Sequence, residues 1–162
     1  MIDVIVRAVA GPKRPANAAP PSSRDIDAAC RSLQDLKRHL HEIGRIGGGE
    51  PSSGLLSAAA DDCLEAVFVC TDVAEIRMVN GAAARLTGYS TRELQASTWW
   101  DLTHSSSQSD FDVLWREFLR AGRQRGLYTL RYRDGSPLQV AYCSEAGVFR
   151  ELCVTVVRKA QG

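Results

Sequence analysis

Asp101, His104 and the serines at 105–107 are the residues whose types could perform catalysis. An acid, a base and a nucleophile act together only when their side chains form a line of hydrogen bonds. Here all of them fall within seven positions of one loop, and no Gly-x-Ser-x-Gly turn is present to expose a serine. The residues therefore favour a protein without catalysis of its own.

A second group of residues could line an apolar cavity for a planar ligand. Aromatic walls offer a large contact area and stack on conjugated rings. The members of this group are Met78, Tyr89, Trp99, Trp100 and Trp115. Ordinary packing in the core explains the same side chains, so a ligand site and a plain core are both open interpretations.

The cysteines and the arginines each allow a functional interpretation that the sequence disfavours. Five cysteines, an odd number, with no Cys-x-x-Cys spacing argue against a disulfide framework and a zinc site, and favour reduced core thiols. A net charge of +1 gives no general attraction for nucleic acid. The densest basic cluster is therefore interpreted as a solvated helix end and sheet edge, without direct nucleic-acid binding: Arg116, Arg120, Arg123, Arg125, Arg131 and Arg133.

Cytoplasmic location is the expectation from the apolar pattern. No apolar run approaches the roughly 20 residues that a membrane helix needs, so no membrane partner is expected. The amino-terminal residues are too short an apolar run, and contain an acid at Asp3, so they resemble neither a signal peptide nor an anchor.

The composition divides the chain into four segments. Residues 1–24 are rich in proline, glycine and serine and are expected to be disordered, and residues 45–54 resemble a flexible linker. Residues 25–44 predict an amphipathic helix in which Ile26, Leu33 and Leu40 recur every seven positions, with Leu36 and Ile43 at the intermediate heptad positions. Residues 55–158 form the folded domain. The helix is predicted to form a homodimer, with packing on its own domain as the alternative.

Periodicity and capping residues predict the elements of the folded domain. Strands are expected at 66–70 and 76–79, and the later strands at 128–132, 138–142 and 149–157. Asn80 is expected to cap a helix that ends at Gly88, and Ser90 begins a Ser-x-x-Glu capping box. A longer amphipathic helix is expected at 111–119, closed by Gly122.

The run from Val79 to Leu94, VNGAAARLTGYSTREL, followed by DLTH at 101–104, resembles the PAS domain family. The resemblance covers residues 66–157. It implies an α+β fold with a five-stranded antiparallel sheet and helices packed on one face, here preceded by the amphipathic helix. Family members bind haem, flavins or small metabolites, or only mediate dimerisation, so fold alone does not assign the function.

The same resemblance limits the cofactors. The long helix carries no histidine where haem-binding members commonly place their ligand, and His104 in the preceding loop is interpreted as hydrogen-bonded to backbone rather than to iron. In the blue-light flavin branch the reactive cysteine corresponds to Trp99, which excludes that photochemistry. The cofactor, if any, is left unidentified.

The resulting expectation is a non-catalytic sensory and interaction module of signal transduction or transcription regulation. It would couple binding of a small molecule or of a partner, such as a kinase or a transcription factor, to the geometry of a homodimer. A haem- or flavin-binding redox or gas sensor is the alternative. His104, Met78, Tyr89, Trp99, Trp100 and Trp115 are the candidate pocket residues.

Overall fold

A computed structural model describes residues 4–7, 23–47 and 53–161 of the chain. The strands are β1 (Val4–Arg7), β2 (Ala66–Cys70), β3 (Ile76–Val79), β4 (Arg123–Arg131), β5 (Pro137–Phe149) and β6 (Leu152–Lys159). The helices are α1 (Ser23–Gly47), α2 (Ser53–Asp62), α3 (Gly81–Thr87), α4 (Thr91–Gln95), α5 (Trp99–Leu102) and α6 (Gln108–Ala121), with a 3-10 turn at Ser105–Ser107. No helix within these residues is long and apolar enough to cross a membrane.

One sheet with the order β1-β4-β5-β6-β2-β3 organises the described chain. Every neighbouring pair from β4 to β3 in this order is antiparallel, which confirms the predicted five-stranded antiparallel sheet. The predicted central position of the last strand is also confirmed, because β6 lies between β5 and β2.

Strand β1 is an addition that the sequence did not predict. Residues 4–7 were expected to be disordered, but they pair in parallel with the outer edge of β4. The strand begins Val-Ile-Val, and β-branched residues favour extended backbone. The neighbouring residues 8–22 of the same predicted segment, and 48–52 of the predicted linker, lie outside the described part of the chain.

Both faces of the sheet are buried, and β2 shows why. Ala66, Phe68 and Cys70 contribute to the core beneath α3–α6, whereas Val67 and Val69 contribute to a second core beneath α1 and α2. Alternate residues of a strand point to opposite faces, so a continuous apolar strand requires cover on both. Helices α3–α6 occupy one face as predicted, and α1 and α2 cover the other.

Helix α1 packs on its own domain, which was the alternative to self-association. Leu33, Leu36 and Leu40 are at most 5% exposed, and they pack with the valines of the outer sheet face. Ile26 is partly buried against the same core, and the side chain of Ile43 lies outside the described part. These side chains therefore do not form a free dimerisation surface. The physical reason is the second apolar face of β2 and β6, which a helix must cover.

Ion pairs connect the start and the middle of α1 to the sheet. Asp25 accepts a contact of 3.2 Å from Nε of Arg158 and a 2.9 Å hydrogen bond from the backbone N–H of Gln161. Farther along the helix, Lys37 lies 2.6 Å from Glu145 of β5. The amphipathic pattern of α1 thus matches a sheet surface that is apolar in the centre and charged at its rim.

The predicted caps at both ends of α3 and at the start of α4 are confirmed. Asn80 accepts a hydrogen bond from the N–H of Ala83, and Gly88 ends α3 with a left-handed φ of 82°. Ser90 and Glu93 form the reciprocal capping box of α4. Gly122 ends α6 in the same left-handed region, with φ of 76°. These caps set the direction in which the chain crosses the inner face of the sheet.

Candidate ligand cavity

A cavity of about 70 Å³ lies between α6 and the inner face of the sheet. Helices contribute one wall and strands β4, β5 and β6 contribute the floor. The wall consists of Trp99, Phe111, Leu114, Trp115 and Phe118, and the floor of Gln124, Tyr128, Leu130, Val140, Tyr142, Ser144, Thr155 and Val157. The lining is mainly apolar, with a few polar groups on the floor, which is the usual composition of a small-molecule site.

The aromatic wall is held in place by ring contacts and by indole hydrogen bonds. The rings of Phe111 and Trp115 stack with centroids 6.0 Å apart, and Trp115 contacts Phe118 at 5.3 Å. Nε1–H of Trp115 donates to the carbonyl oxygen of Asp72 at 2.9 Å, which links α6 to the turn between β2 and β3. Nε1–H of Trp99 donates to Sγ of Cys70. Both indoles therefore have fixed orientations.

Gln124 joins the floor of the cavity to its wall. Its side-chain amide donates to the carbonyl oxygen of Leu114 in α6 at 3.1 Å and accepts from the hydroxyl of Tyr142 at 3.0 Å. Because the first bond reaches into the middle of α6, a molecule that displaced Gln124 would act directly on that helix.

Hydroxyl groups on the floor retain hydrogen-bonding capacity. The oxygens of Ser144 and Thr155 lie 2.7 Å apart, and only one hydroxyl proton can lie between them, which leaves the other able to donate elsewhere. Thr103 donates to the carbonyl oxygen of Trp99, so Tyr128, 3.0 Å from the Thr103 hydroxyl, is the donor of that pair. The Tyr128 oxygen then remains an acceptor.

The cavity is electrically neutral near neutral pH. Burial raises the pKa of Tyr128 to about 12, an effect that the hydrogen bond with Thr103 opposes and the charge of Asp110 assists. Burial also raises the pKa of Tyr142, with smaller contributions from Tyr128 and Cys143. With both phenols protonated and no charged side chain in the lining, the cavity favours an uncharged ligand.

Of the predicted pocket residues, the structure places Trp99 and Trp115 in the lining. Met78 contributes to the core on the opposite face, because it alternates with Ile76 along β3. Trp100 is 43% exposed and touches Phe111 from outside, since neighbouring residues of the short helix α5 point in different directions.

Tyr89 and His104 also lie outside the lining. The hydroxyl of Tyr89 donates to the carbonyl oxygen of Tyr132 at 3.4 Å. His104 caps the 3-10 turn, with Nδ1 2.8 Å from Oγ of Ser106 and 3.2 Å from the backbone nitrogen of Ser106. This arrangement matches the interpretation of a loop histidine that binds backbone.

The polar floor residues were missed at the sequence level, although a signal was present. Tyr128 and Leu130 on β4, and Val140 and Tyr142 on β5, were predicted to share a face. Continuing the same alternation reaches Ser144, and the corresponding alternation on β6 reaches Thr155 between apolar residues. Small hydroxyl residues at inward-facing strand positions could have predicted a cavity from the sequence.

Haem and flavin do not fit this site. The cavity is smaller than the roughly 300–1,000 Å³ of pockets that hold such ligands. No histidine lies in its lining, since His104 caps the loop and His39 and His41 are exposed on α1. The described residues also contain no group of three or more histidine, cysteine or acidic side chains arranged for a metal ion.

The residues considered for catalysis act as caps. Asp101 accepts from the backbone N–H and the hydroxyl of Thr98 at the start of α5, and His104 binds Ser106. Neither group lines the cavity. Arginines of the predicted basic cluster form separate ion pairs with Glu117, Glu93 and Asp27, and so do not present one continuous basic surface.

Comparison with known proteins agrees with the fold. Residues 54–122 match the family model described as PAS domain. The fold is that of a PAS domain. No curated protein matches the chain.

Solved structures share the PAS fold at low sequence identity. A domain of a sensory box sensor histidine kinase/response regulator from Geobacter sulfurreducens is 19% identical, with a TM-score of 0.56, over 66% of this chain and 93% of that one. A PAS domain from a two-component sensor histidine kinase is 21% identical, with a TM-score of 0.55, over 65% and 94%. A PAS domain of a LuxR-family transcriptional regulator from Burkholderia thailandensis, in complex with ethanol, is 13% identical, with a TM-score of 0.53, over 63% and 94%.

Proposed function

We propose that this PAS domain is a non-catalytic sensory and interaction module of intracellular signal transduction that binds a small, uncharged molecule in the cavity beneath α6. The observation that carries the proposal is the apolar cavity with neutral hydroxyl and amide groups on its floor. Similarity in fold to PAS domains of sensor kinases, and to one solved with ethanol, supports the same assignment.

The cavity volume sets the size of the ligand. About 70 Å³ holds several water molecules or an organic molecule of a few non-hydrogen atoms. The best small ligands gain at most about 1.5 kcal/mol per non-hydrogen atom, so an alcohol with three such atoms would bind with a dissociation constant no lower than about 0.5 mM. A short-chain alcohol or ketone is the chemical class that matches both the apolar wall and the hydroxyl floor.

Transmission of the signal would start at α6. Gln124 and Trp115 tie this helix to β4 and to the turn between β2 and β3. A ligand that competes for the Gln124 amide weakens one tie while it fills the space beneath the helix, and so shifts the position of α6. A kinase or a transcription factor that contacts the domain would detect this shift.

Homodimerisation through α1 would require this helix to leave the sheet. The side chains predicted to meet in a dimer, Leu33, Leu36 and Leu40, are the ones that cover the outer face. One apolar stripe cannot occupy both positions, so a change in dimer geometry would involve exchange of α1 between its own sheet and a second copy.

The three tryptophan indole N–H signals in a ¹H–¹⁵N correlation NMR spectrum test ligand binding. On titration with 1-propanol, the signals of Trp99 and Trp115 should move and saturate, whereas the exposed Trp100 should move little. Equal, non-saturating shifts of all three signals would show a solvent effect and would contradict the proposal.

A pair of variants on neighbouring positions of α6 provides the control. Leu114→Trp fills the cavity and should abolish the saturable shifts. Val113→Trp introduces the same side chain at a position that is 56% exposed and should preserve them. Saturable binding to Leu114→Trp would place the ligand elsewhere.

A further inference from the structure

Two cysteines meet between α1 and β5, on the face of the sheet opposite the cavity. Cys30 lies on the side of α1 that faces the sheet, Cys143 lies on β5, and both belong to the same buried cluster, in which each thiol has the largest influence on the pKa of the other. Cys143 is fully buried, whereas Cys30 is 8% exposed and retains contact with solvent. A disulfide between two such cysteines requires their Cα atoms to lie within about 7 Å of one another.

Charged residues surround this pair. The guanidinium of Arg125, whose residue is the register partner of Cys143 on β4, contacts the thiol of Cys30. The charged groups that face the pair are Asp27 and Lys37 from α1, Arg123 and Arg125 from β4, and Glu145 from β5. Both acids are in ion pairs, at 3.7 Å from Arg125 to Asp27 and 2.6 Å from Lys37 to Glu145. The positive charges of Arg123 and Arg125 therefore favour the deprotonated, negatively charged form of the Cys30 sulfur.

These contacts shift the pKa values of the two thiols in opposite directions. The hydrogen bond from Cys143 lowers the pKa of Cys30 to about 6, with help from the contact and charge of Arg125 and against the effect of burial. The same hydrogen bond, together with burial, raises the pKa of Cys143. Cys30 is therefore the thiolate, which is the nucleophilic form of cysteine.

The pair Cys70 and Cys153 provides an internal comparison. These cysteines are register partners on β2 and β6, also with thiols in contact, but they are at most 1% exposed. The hydrogen bond with Cys70 lowers the pKa of Cys153, as Cys143 lowers that of Cys30, but burial and the charge of Asp72 oppose this effect and no cation contributes to it. The two cysteines are neighbours in both pairs, but only the pair Cys30 and Cys143 has access to solvent and a cationic neighbour.

We propose that Cys30 and Cys143 form a reversible redox site for hydroperoxides, and that its oxidised form ties α1 covalently to the sheet. The Cys30 thiolate attacks hydrogen peroxide, so that an S–O bond forms, the O–O bond breaks, and the leaving oxygen takes up a proton and departs as water. The Cys143 sulfur then attacks the Cys30 sulfenic acid. An S–S bond forms and the hydroxyl leaves with the thiol proton as a second water.

Two electrons pass from the two sulfurs to the peroxide in this sequence, and a dithiol reverses it by thiol–disulfide exchange. The consequence for the fold is that α1 can separate from β5 in the reduced form only. The site lies on the opposite face of the sheet from the cavity. Oxidation of the two cysteines can therefore be tested independently of ligand binding in the cavity.

Peptide mapping of the full chain after treatment with hydrogen peroxide tests the proposal. Remaining thiols are alkylated, and the protein is digested without reduction. We expect a peptide pair linked through Cys30 and Cys143, formed at least tenfold faster than a Cys70–Cys153 link and lost on treatment with dithiothreitol. Equal rates for both pairs, or oxidation of Cys30 without a link to Cys143, would overturn the proposal.

Two variants and a control variant test the roles of individual residues. In Cys143→Ala, Cys30 should stop at the sulfenic acid, which dimedone labels. Arg125→Gln should slow formation of the link several-fold, whereas Arg120→Gln, which removes an exposed arginine of α6 paired with Glu117, should leave the rate unchanged. Equal slowing by both arginine variants would contradict the role of Arg125. The mapping of the unsubstituted chain decides the main claim even where a variant does not fold.

Discussion

At the scale of single residues, Asn80 joins three elements. Its Oδ1 accepts hydrogen bonds from the N–H groups of Val67 and Ala83, and its Nδ2 donates to the carbonyl oxygens of Ala60 and Glu65. The side chain is 1% exposed, so water cannot replace these partners. The sequence predicted the bond to the start of α3, but not the bonds to β2 and to the end of α2, because those partners come close only after folding.

Asn80→Ala should destabilise the domain by about 3 kcal/mol, since it leaves several buried polar groups without partners. Urea unfolding followed by circular dichroism measures the change. Ser90→Ala, which removes only an exposed helix cap, is the control and should cost about 1 kcal/mol. Equal losses in the two variants would show that the additional bonds of Asn80 contribute nothing.

The protonation of Cys30 makes a prediction about pH. Because its pKa is lowered to about 6, the rate of its oxidation by hydrogen peroxide should rise through pH 6 and level off by about pH 7. An ordinary thiol, with a pKa of about 8.5, continues to gain rate up to about pH 9. Quenched-flow alkylation with peptide mapping gives the profile, and a profile of the ordinary kind for Cys30 would contradict the assigned thiolate.

At the scale of elements, local signals predicted more than tertiary placement did. The strands β2 and β3 have the predicted bounds, and the turns at Gly88 and Gly122 have the predicted left-handed backbone. These features depend on residues within a few positions of one another. The position of α1 depends on Val67, Val69 and Val154, which lie far away in the sequence, and a heptad pattern does not distinguish a sheet from a second helix.

Replacing Leu33 tests the position of α1. Leu33→Ala should destabilise the domain by about 3 kcal/mol, because it opens a cavity at a site with no exposed surface. The loss should be independent of protein concentration in urea unfolding, since the helix packs within one chain. Arg31→Ala, at an exposed position of α1, should change stability by less than about 0.5 kcal/mol. A loss that depends on protein concentration would favour the heptad dimer.

At the scale of the whole molecule, the sheet separates two systems. The inner face carries the cavity and α6, and the outer face carries α1 and the pair Cys30–Cys143. The sequence predicted the PAS fold and two residues of the cavity wall, Trp99 and Trp115. It did not predict the floor, because the identity of a cavity depends on which side chains leave space when several strands and a helix meet.

Hydrogen–deuterium exchange of the full chain, with and without saturating 1-propanol, measures whether a ligand in the cavity alters α6. We expect a change in exchange confined to peptides of α6 and of the strands beneath it, with α1 and α2 unaltered, and loss of that change in Leu114→Trp but not in Val113→Trp. Unaltered exchange in α6 under conditions where 1-propanol saturates the Trp99 and Trp115 signals would contradict a cavity that reports its occupancy through this helix.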